Sequence, residues 1–219
     1  MRNYLDVLRT CALFEGIADE NLLGMLGCLG AVSMEVKKGQ TVFAEGDSAV
    51  RVGIVLSGKL LQLREDYFGN RSIYGQILPS QLFGETYAFS RACNLPVTVA
   101  AEEDSKLLLL DSRRITTCCS NACEFHNRVI YNLLRIVADK NLLLHRKLSV
   151  TSRRSTAEKL LTYLSHCARE QGSNSFTIPF DRQALADYLE VDRSGLSTEI
   201  GKLKKQGILT CERNHFTLL

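Results

Sequence analysis

From Cys123 to Leu148 the chain runs without a glycine or a proline, and apolar residues recur along it at helical spacing. Such a stretch predicts one long α-helix. Ile130, Leu134, Val137, Asn141, Leu144 and Leu148 follow a 4-3-4-3-4 spacing, which is a heptad seam. Val129, Leu133, Ile136, Lys140 and Leu143 form a second seam beside it. Two adjacent seams call for two neighbours, the chain's own globular part and a second copy of the helix. A single wide stripe facing one core is the competing reading of the same period. Asn141 is the kind of polar seam residue that fixes register in a dimer.

The flanks of this helix differ in kind. After a helical stretch over Ala18 to Leu29, the residues from about Ala31 to Leu110 read as short strands between glycine turns. TVFAEGD, VGIVLSGKL, LQLREDYFGNRSIYGQIL and LLLLD carry β-branched or aromatic residues, punctuated by Gly39, Gly46, Gly58 and Gly69. Turns so regularly spaced predict a small all-β roll, a double-stranded β-helix or jelly roll, rather than βαβ units. On the other side, the polar segment Ser149 to Thr156 predicts a linker. Ser152 or Ser155 would cap a helix running to about Arg169. A short strand FTIPF follows, then two helices around the tight connection EVD, then two short strands around Asn214. The expected class is α+β. The expected domains are residues 1–120, a long helix over 121–148, and 149–219.

The segment Asp181 to Gln206 carries the most specific pattern. Ala184, Leu185 and Leu189 make the inner face of one helix, Val191 sits in the turn, and Leu196, Ile200 and Leu203 make the matching face of the next. Small Ala186 lets the two cross closely, as in a helix-turn-helix. The second helix then presents Arg193, Ser194, Ser197 and Thr198 outward near its N-terminus. In a major groove an arginine can hold guanine through two hydrogen bonds, and hydroxyls serve several bases. Arg182 and Gln183 open the first helix, where phosphates would be held. The flanking strands make the motif winged. An ordinary helical hairpin with a solvated face is the bland alternative, and charge does not separate the two. From Ser149 on there are 10 Lys+Arg against 8 Asp+Glu.

Other classes fit poorly. With 219 residues, 45% hydrophobic and 23% charged, the chain is neither disordered nor too small to bury a core. Its longest uninterrupted apolar run is as short as Leu107 to Leu110, so no membrane span is expected. Asp6 and Arg9 interrupt the N-terminus as a signal peptide would not, so a cytoplasmic location is expected. Enzyme motifs (a phosphate-binding P-loop, G-x-S-x-G or H-E-x-x-H) are missing. A metal-dependent jelly roll needs clustered histidines. The four here, His126, His145, His166 and His215, are scattered, and none lies in the β region. No enzyme is expected.

Taken together, KGQTVFAEGD, VGIVLSGKL, FGE at Phe83 to Glu85 and RQALADYLEVDRSGLSTEI stand in the order seen in the Crp/Fnr family of bacterial transcription regulators, which the whole chain resembles. The resemblance implies a β-roll effector domain, a dimerisation helix and a winged helix. The implied partners are a second copy of the chain, a near-palindromic double-stranded DNA operator, a small-molecule effector and RNA polymerase. Arg193, Ser194 and Thr198 fall where relatives read bases. The family often carries Arg-Glu and then Arg there, and this chain keeps only the first Arg.

The implied effector pocket departs further. Cyclic-nucleotide-binding members pair the Glu of FGE with an Arg-Ser some ten residues on. Here Gly84 and Glu85 remain, but the matching positions are Leu95 and Pro96. Without that arginine a buried phosphate has no fixed counter-charge, which argues against cAMP. Lys140 and Asn141 align where relatives' dimer helix reaches the ligand. A cysteine cluster offers a second input, since Cys118, Cys119, Cys123 and His126 lie within nine residues and could hold a soft metal or react as thiols. Adjacent cysteines rarely ligate one ion, and small buried thiols are common, so no metal is assigned. Cys11 and Cys28 are too far apart for the iron–sulfur ligation of Fnr-type sensors, and no cofactor is required. A ligand-sensing module acting on a protein partner is the rival from another class. The outward polar face of the helix-turn-helix argues against it.

Overall fold

In the computed structural model, residues 4–48, 50–65, 67, 71–90, 94–117 and 124–219 are described. They form two compact units, Met1–Asp139 and Lys140–Leu219, and the division falls inside the long helix. Among the described residues no helix is long and apolar enough to cross a membrane.

The first unit opens with helices α1 (Leu5–Arg9) and α2 (Asp19–Cys28), separated by a 3-10 turn at Ala12–Phe14. Among the described residues eight strands follow: β1 (Val32–Val36), β2 (Thr41–Phe43), β3 (Arg51–Ser57), β4 (Leu60–Glu65), β5 (Arg71–Ile77), β6 (Leu82–Phe83), β7 (Thr98–Ala101) and β8 (Ser105–Asp111). Short helices α3 (Glu85–Ala88) and α4 (Ser112–Thr116) flank the last two, and α5 covers Glu124–Thr151. The strands pair antiparallel in two four-stranded sheets, ordered β1-β8-β3-β6 and β2-β7-β4-β5. This is the β-roll that the glycine spacing predicted.

The runs VGIVL and LLLL look too apolar for strands with one wet face, and the packing explains why. Val52, Ile54, Leu56, Leu108 and Leu110 face a core built with α1, α2 and α5. The alternate residues Val55, Leu107 and Leu109 face the core between the sheets. Strands buried on both faces read as continuous apolar runs. Gly53, in the middle of β3, lies under the Phe83 ring. A Cβ there would sit 2.0 Å from Phe83 Cζ, so only glycine allows β6 to approach.

Helix α5 is fastened to the first unit through its second seam. Val129 and Leu133 are buried in the helical core, and Ile136 packs against it. Between them Asn132, also buried, donates from Nδ2 to the carbonyls of Leu13 (3.0 Å) and Glu15 (2.9 Å). Along the second seam Val129, Leu133 and Ile136 are thus covered, Lys140 is half-buried and Leu143 is exposed.

In the second unit, α6 (Thr156–Gln171), β9 (Ser175–Thr177), α7 (Arg182–Leu189), α8 (Arg193–Lys205), β10 (Leu209–Glu212) and β11 (His215–Leu218) enclose one core. The sheet order is β10-β11-β9. Ser155 caps α6 in a reciprocal box with Glu158, so of the two candidate caps Ser155 is the one used. Two sequence expectations need correction. The linker is shorter than Ser149 to Thr156, because α5 continues to Thr151. Ser149 Oγ and Thr151 Oγ1 turn back on the carbonyls of Arg146 and Lys147, which lets hydroxyl residues stay helical. FTIPF is not a full strand either. β9 ends at Thr177, since Pro179 has no amide to pair, although Ile178 still exchanges hydrogen bonds with Asn214.

Candidate nucleic-acid interface

The α7–α8 hairpin is set by its caps. Asp181 Oδ1 accepts from the Ala184 amide at 2.8 Å, opening α7, and Asp192 Oδ2 accepts from the Gly195 amide at 2.8 Å, opening α8. The Ser194 hydroxyl also donates to Asp192, and together with the Gly195 amide it holds that carboxyl below its usual range. Between the helices Glu190 takes a left-handed conformation, φ 54°, which costs a non-glycine residue about 1–2 kcal/mol. The Val191 amide returns to the Ala186 carbonyl at 3.1 Å, and fully buried Ala186 permits the close crossing.

Leu196, Ile200 and Leu203 bury one side of α8. Helical geometry then turns Arg193, Ser194, Ser197 and Thr198 to solvent, and all four are exposed. Their hydrogen bonds divide the chemistry. Ser197 Oγ donates to the Arg193 carbonyl and Thr198 Oγ1 to the Ser194 carbonyl, both at 3.0 Å. With their protons committed to the helix, these oxygens offer lone pairs outward, suited to the exocyclic amino groups of adenine or cytosine. Arg193 supplies the complementary donors, suited to the acceptor pair of guanine.

Arg182 stands differently. It is half-buried, its guanidinium carbon lies 5.9 Å from the centroid of Phe216, and Nη2 is 3.9 Å from Cys211 Sγ. It joins the start of α7 to the β10–β11 wing. Gln183 is exposed and donates to Asp187 Oδ1 at 2.8 Å, along its own helix. Sequence reasoning missed the far end of α7. There Lys147 of α5 donates to the carbonyl of Tyr188 and lies 4.6 Å from the centroid of its ring. Lys159 of α6 reaches the carbonyls of Leu189 and Glu190 at 3.1 and 3.3 Å. Partners that are backbone carbonyls carry no signature in a sequence.

The residues aligned with an effector pocket lie in the first unit, apart from Lys140 and Asn141. Gly84 is left-handed at φ 80° and opens α3; a Cβ there would meet Phe43 at 3.0 Å and the Arg51 carbonyl at 3.1 Å. Glu85 is buried, and its Oε1 accepts from Thr86 Oγ1 at 3.3 Å. Leu95 is a core residue whose backbone pairs with Gly46 and Asp47, while Pro96 is exposed. Lys140 is half-buried and Asn141 exposed on α5.

Of the cysteine cluster, Cys118, Cys119 and Cys123 lie outside the described residues. His126 is buried, and its Nε2 sits 3.2 Å from the Arg114 carbonyl, a core role rather than an open ligand position. No group of three metal-ligating side chains occurs among the described residues. Burial pushes the Cys11 thiol up to about 11, which keeps it protonated and unreactive.

On the outer seam, Leu134, Val137, Asn141, Leu144 and Leu148 are exposed, and Ile130 is half-buried. Leu144 is 70% exposed and Leu134 65%. The stripe is apolar except at Asn141, and exposed apolar patches are where proteins commonly meet partners.

Two family models match the chain in tandem, a cyclic nucleotide-binding domain over residues 33–122 and a Crp-like helix-turn-helix domain over residues 158–219. The transcriptional activator protein FnrA of Stutzerimonas stutzeri is 24% identical over 189 residues, covering 84% of this chain and 75% of the relative. The transcriptional activator protein FnrL of Cereibacter sphaeroides is 26% identical over 191 residues, covering 80% and 71%. Among solved structures, the c-di-GMP responsive global regulator CLP of Xanthomonas campestris shares the fold. Its TM-score is 0.55 at 17% identity, covering 92% of this chain and 99% of that one.

Proposed function

The chain belongs to the Crp/Fnr family of transcription regulators, and from that premise we propose a cytoplasmic homodimer that binds a near-palindromic DNA site and regulates transcription there. Residues 1–120 serve as the sensing domain, 121–148 as the dimerisation helix and 149–219 as the DNA-binding domain. The observation that carries this reading is α8, a capped helix with one face buried and Arg193, Ser194, Ser197 and Thr198 exposed on the other. Gln183, together with the N-terminus of α7, holds backbone phosphates. Arg182 does so as well while bracing the wing. The stripe Ile130, Leu134, Val137, Asn141, Leu144 and Leu148 meets its copy, and when it activates, the bound dimer touches RNA polymerase.

The effector is a small molecule other than cAMP. Leu95 is buried and uncharged at the position that matches the phosphate-binding arginine of cyclic-nucleotide-binding relatives. Burying a phosphate there without a counter-charge would cost several kcal/mol.

Equilibrium binding to a duplex selected from a randomised pool tests the reading. Affinity should fall steeply with salt, as phosphate contacts require. Arg193→Ala should cost about 1–3 kcal/mol and relax preference at one base pair in each half-site. A variant that binds as tightly and as selectively as the parent would rule out α8 as the reading element.

A further inference from the structure

We propose that Lys147 and Lys159 are positioning residues for DNA recognition, gripping the turn between α7 and α8 and so fixing the reading helix on the last turns of α5. The inference rests on the DNA-binding reading above and adds residues that touch no DNA.

The carbonyls of the turn account for it. The last carbonyls of a helix have no partner within the helix and carry the negative end of its dipole. At the end of α7, the Ala186 and Asp187 carbonyls take the amides of Val191 and Glu190, at 3.1 and 3.2 Å. The next three take ammonium groups from two other helices. Lys147 of α5 donates to Tyr188, and Lys159 of α6 donates to Leu189 at 3.1 Å and Glu190 at 3.3 Å. Five consecutive carbonyls, from Ala186 to Glu190, are thereby satisfied.

Side chains close the same grip. Lys147 Nζ lies 3.2 Å from the Glu190 carboxylate and 4.6 Å from the centroid of the Tyr188 ring. Tyr188 in turn packs on Tyr163 of α6 and on Phe180, with ring centroids 5.1 Å away in each case. Both lysines are half-buried, so neither is a freely solvated surface charge. What they hold is a left-handed non-glycine residue, Glu190, which persists only where its surroundings impose it.

The consequence falls on α8. Two residues beyond Glu190, Asp192 caps α8, and Arg193 is its first residue. A turn free to relax would let the N-terminal end of α8 wander, and the base-reading groups are carried on that end. The grip also gives a route from helix to site, because any change in the last turns of α5 moves Lys147 directly.

The test uses the full chain, the duplex selected by the parent, and a scrambled duplex of the same length. Lys147→Gln and Lys159→Gln should each weaken binding to the selected duplex by about tenfold, the scale of a hydrogen bond to a charged group. Binding to the scrambled duplex and the slope of log affinity against log salt should stay unchanged. Hydrogen exchange at the Glu190 and Val191 amides should accelerate, and Lys147→Arg should restore both affinity and protection. A slope shallower by about one per lysine would make these phosphate contacts and overturn the proposal. So would unchanged exchange, or faster exchange with selectivity intact. If the parent selected no duplex, the regulatory reading itself would fall, and exchange would still report separately whether the grip exists.

Discussion

Helix α5 carries two apolar stripes of the same period that meet different surroundings. Val129, Leu133 and Ile136 pack into the core of the first unit, whereas Leu134, Val137, Leu144 and Leu148, one position away, stay exposed. Periodicity therefore announces that a face is apolar without saying what covers it. The inner stripe stabilises the fold. The outer one, an unfilled heptad seam with a polar residue at Asn141, is the surface on which a second copy is proposed to sit.

Substitutions on the two stripes should separate these roles. Leu133→Ala should cost about 2–5 kcal/mol of fold stability through the cavity it leaves, with self-association unchanged. Chemical denaturation alongside sedimentation would check both halves, and a variant that lost only association would break the comparison. Leu144→Glu should do the reverse. It should weaken dimerisation at least 100-fold, about 2.7 kcal/mol, because each copy would bury a carboxylate against the other. Measured at concentrations where the parent is monomeric, its unfolding should lie within about 0.5 kcal/mol of the parent, as for an exposed position. Retained dimers would remove the seam from the account. The smallest effect sharpens the inner side. Asn132→Ala should cost about 1–3 kcal/mol, since the carbonyls of Leu13 and Glu15 lose their donor, and it should leave the dimer intact.

How much of this was legible in the sequence varied with where the information sat. The winged helix was readable because its signals are local. Leu185, Leu189, Leu196, Ile200 and Leu203 repeat at helical spacing, and all five are buried. The β-roll was readable from its glycine turns, although not its pairing, because the order β2-β7-β4-β5 joins strands far apart in sequence. Other features depended on partners that a sequence does not display. Asn132 reads as an ordinary solvated helix residue until the 3-10 turn beneath it is known. Ser149 and Thr151 read as linker because hydroxyl residues disfavour helix interiors, and only their bonds to Arg146 and Lys147 show why α5 continues. Glu190 gives no sign of its left-handed turn, nor Lys147 and Lys159 of the carbonyls they hold.

The candidate site split along the same line. The proposed base-reading residues stand on a helix surface, where outward position follows from the buried set alone. The proposed effector residues lie partly in the interior, where the role of a side chain follows from what packs around it. Leu95 is a core residue, and its apolar side chain contributes packing.

Whether the chain reads DNA as a dimer is tested by selection of duplex DNA by the full chain from a randomised pool, followed by sequencing of the enriched sites. The enriched site should be a near-palindrome whose half-sites lie about 34–36 Å apart, one helical turn, bound by two copies of the chain. Enrichment of an asymmetric site bound by one copy, or no enrichment at all, would contradict dimeric recognition.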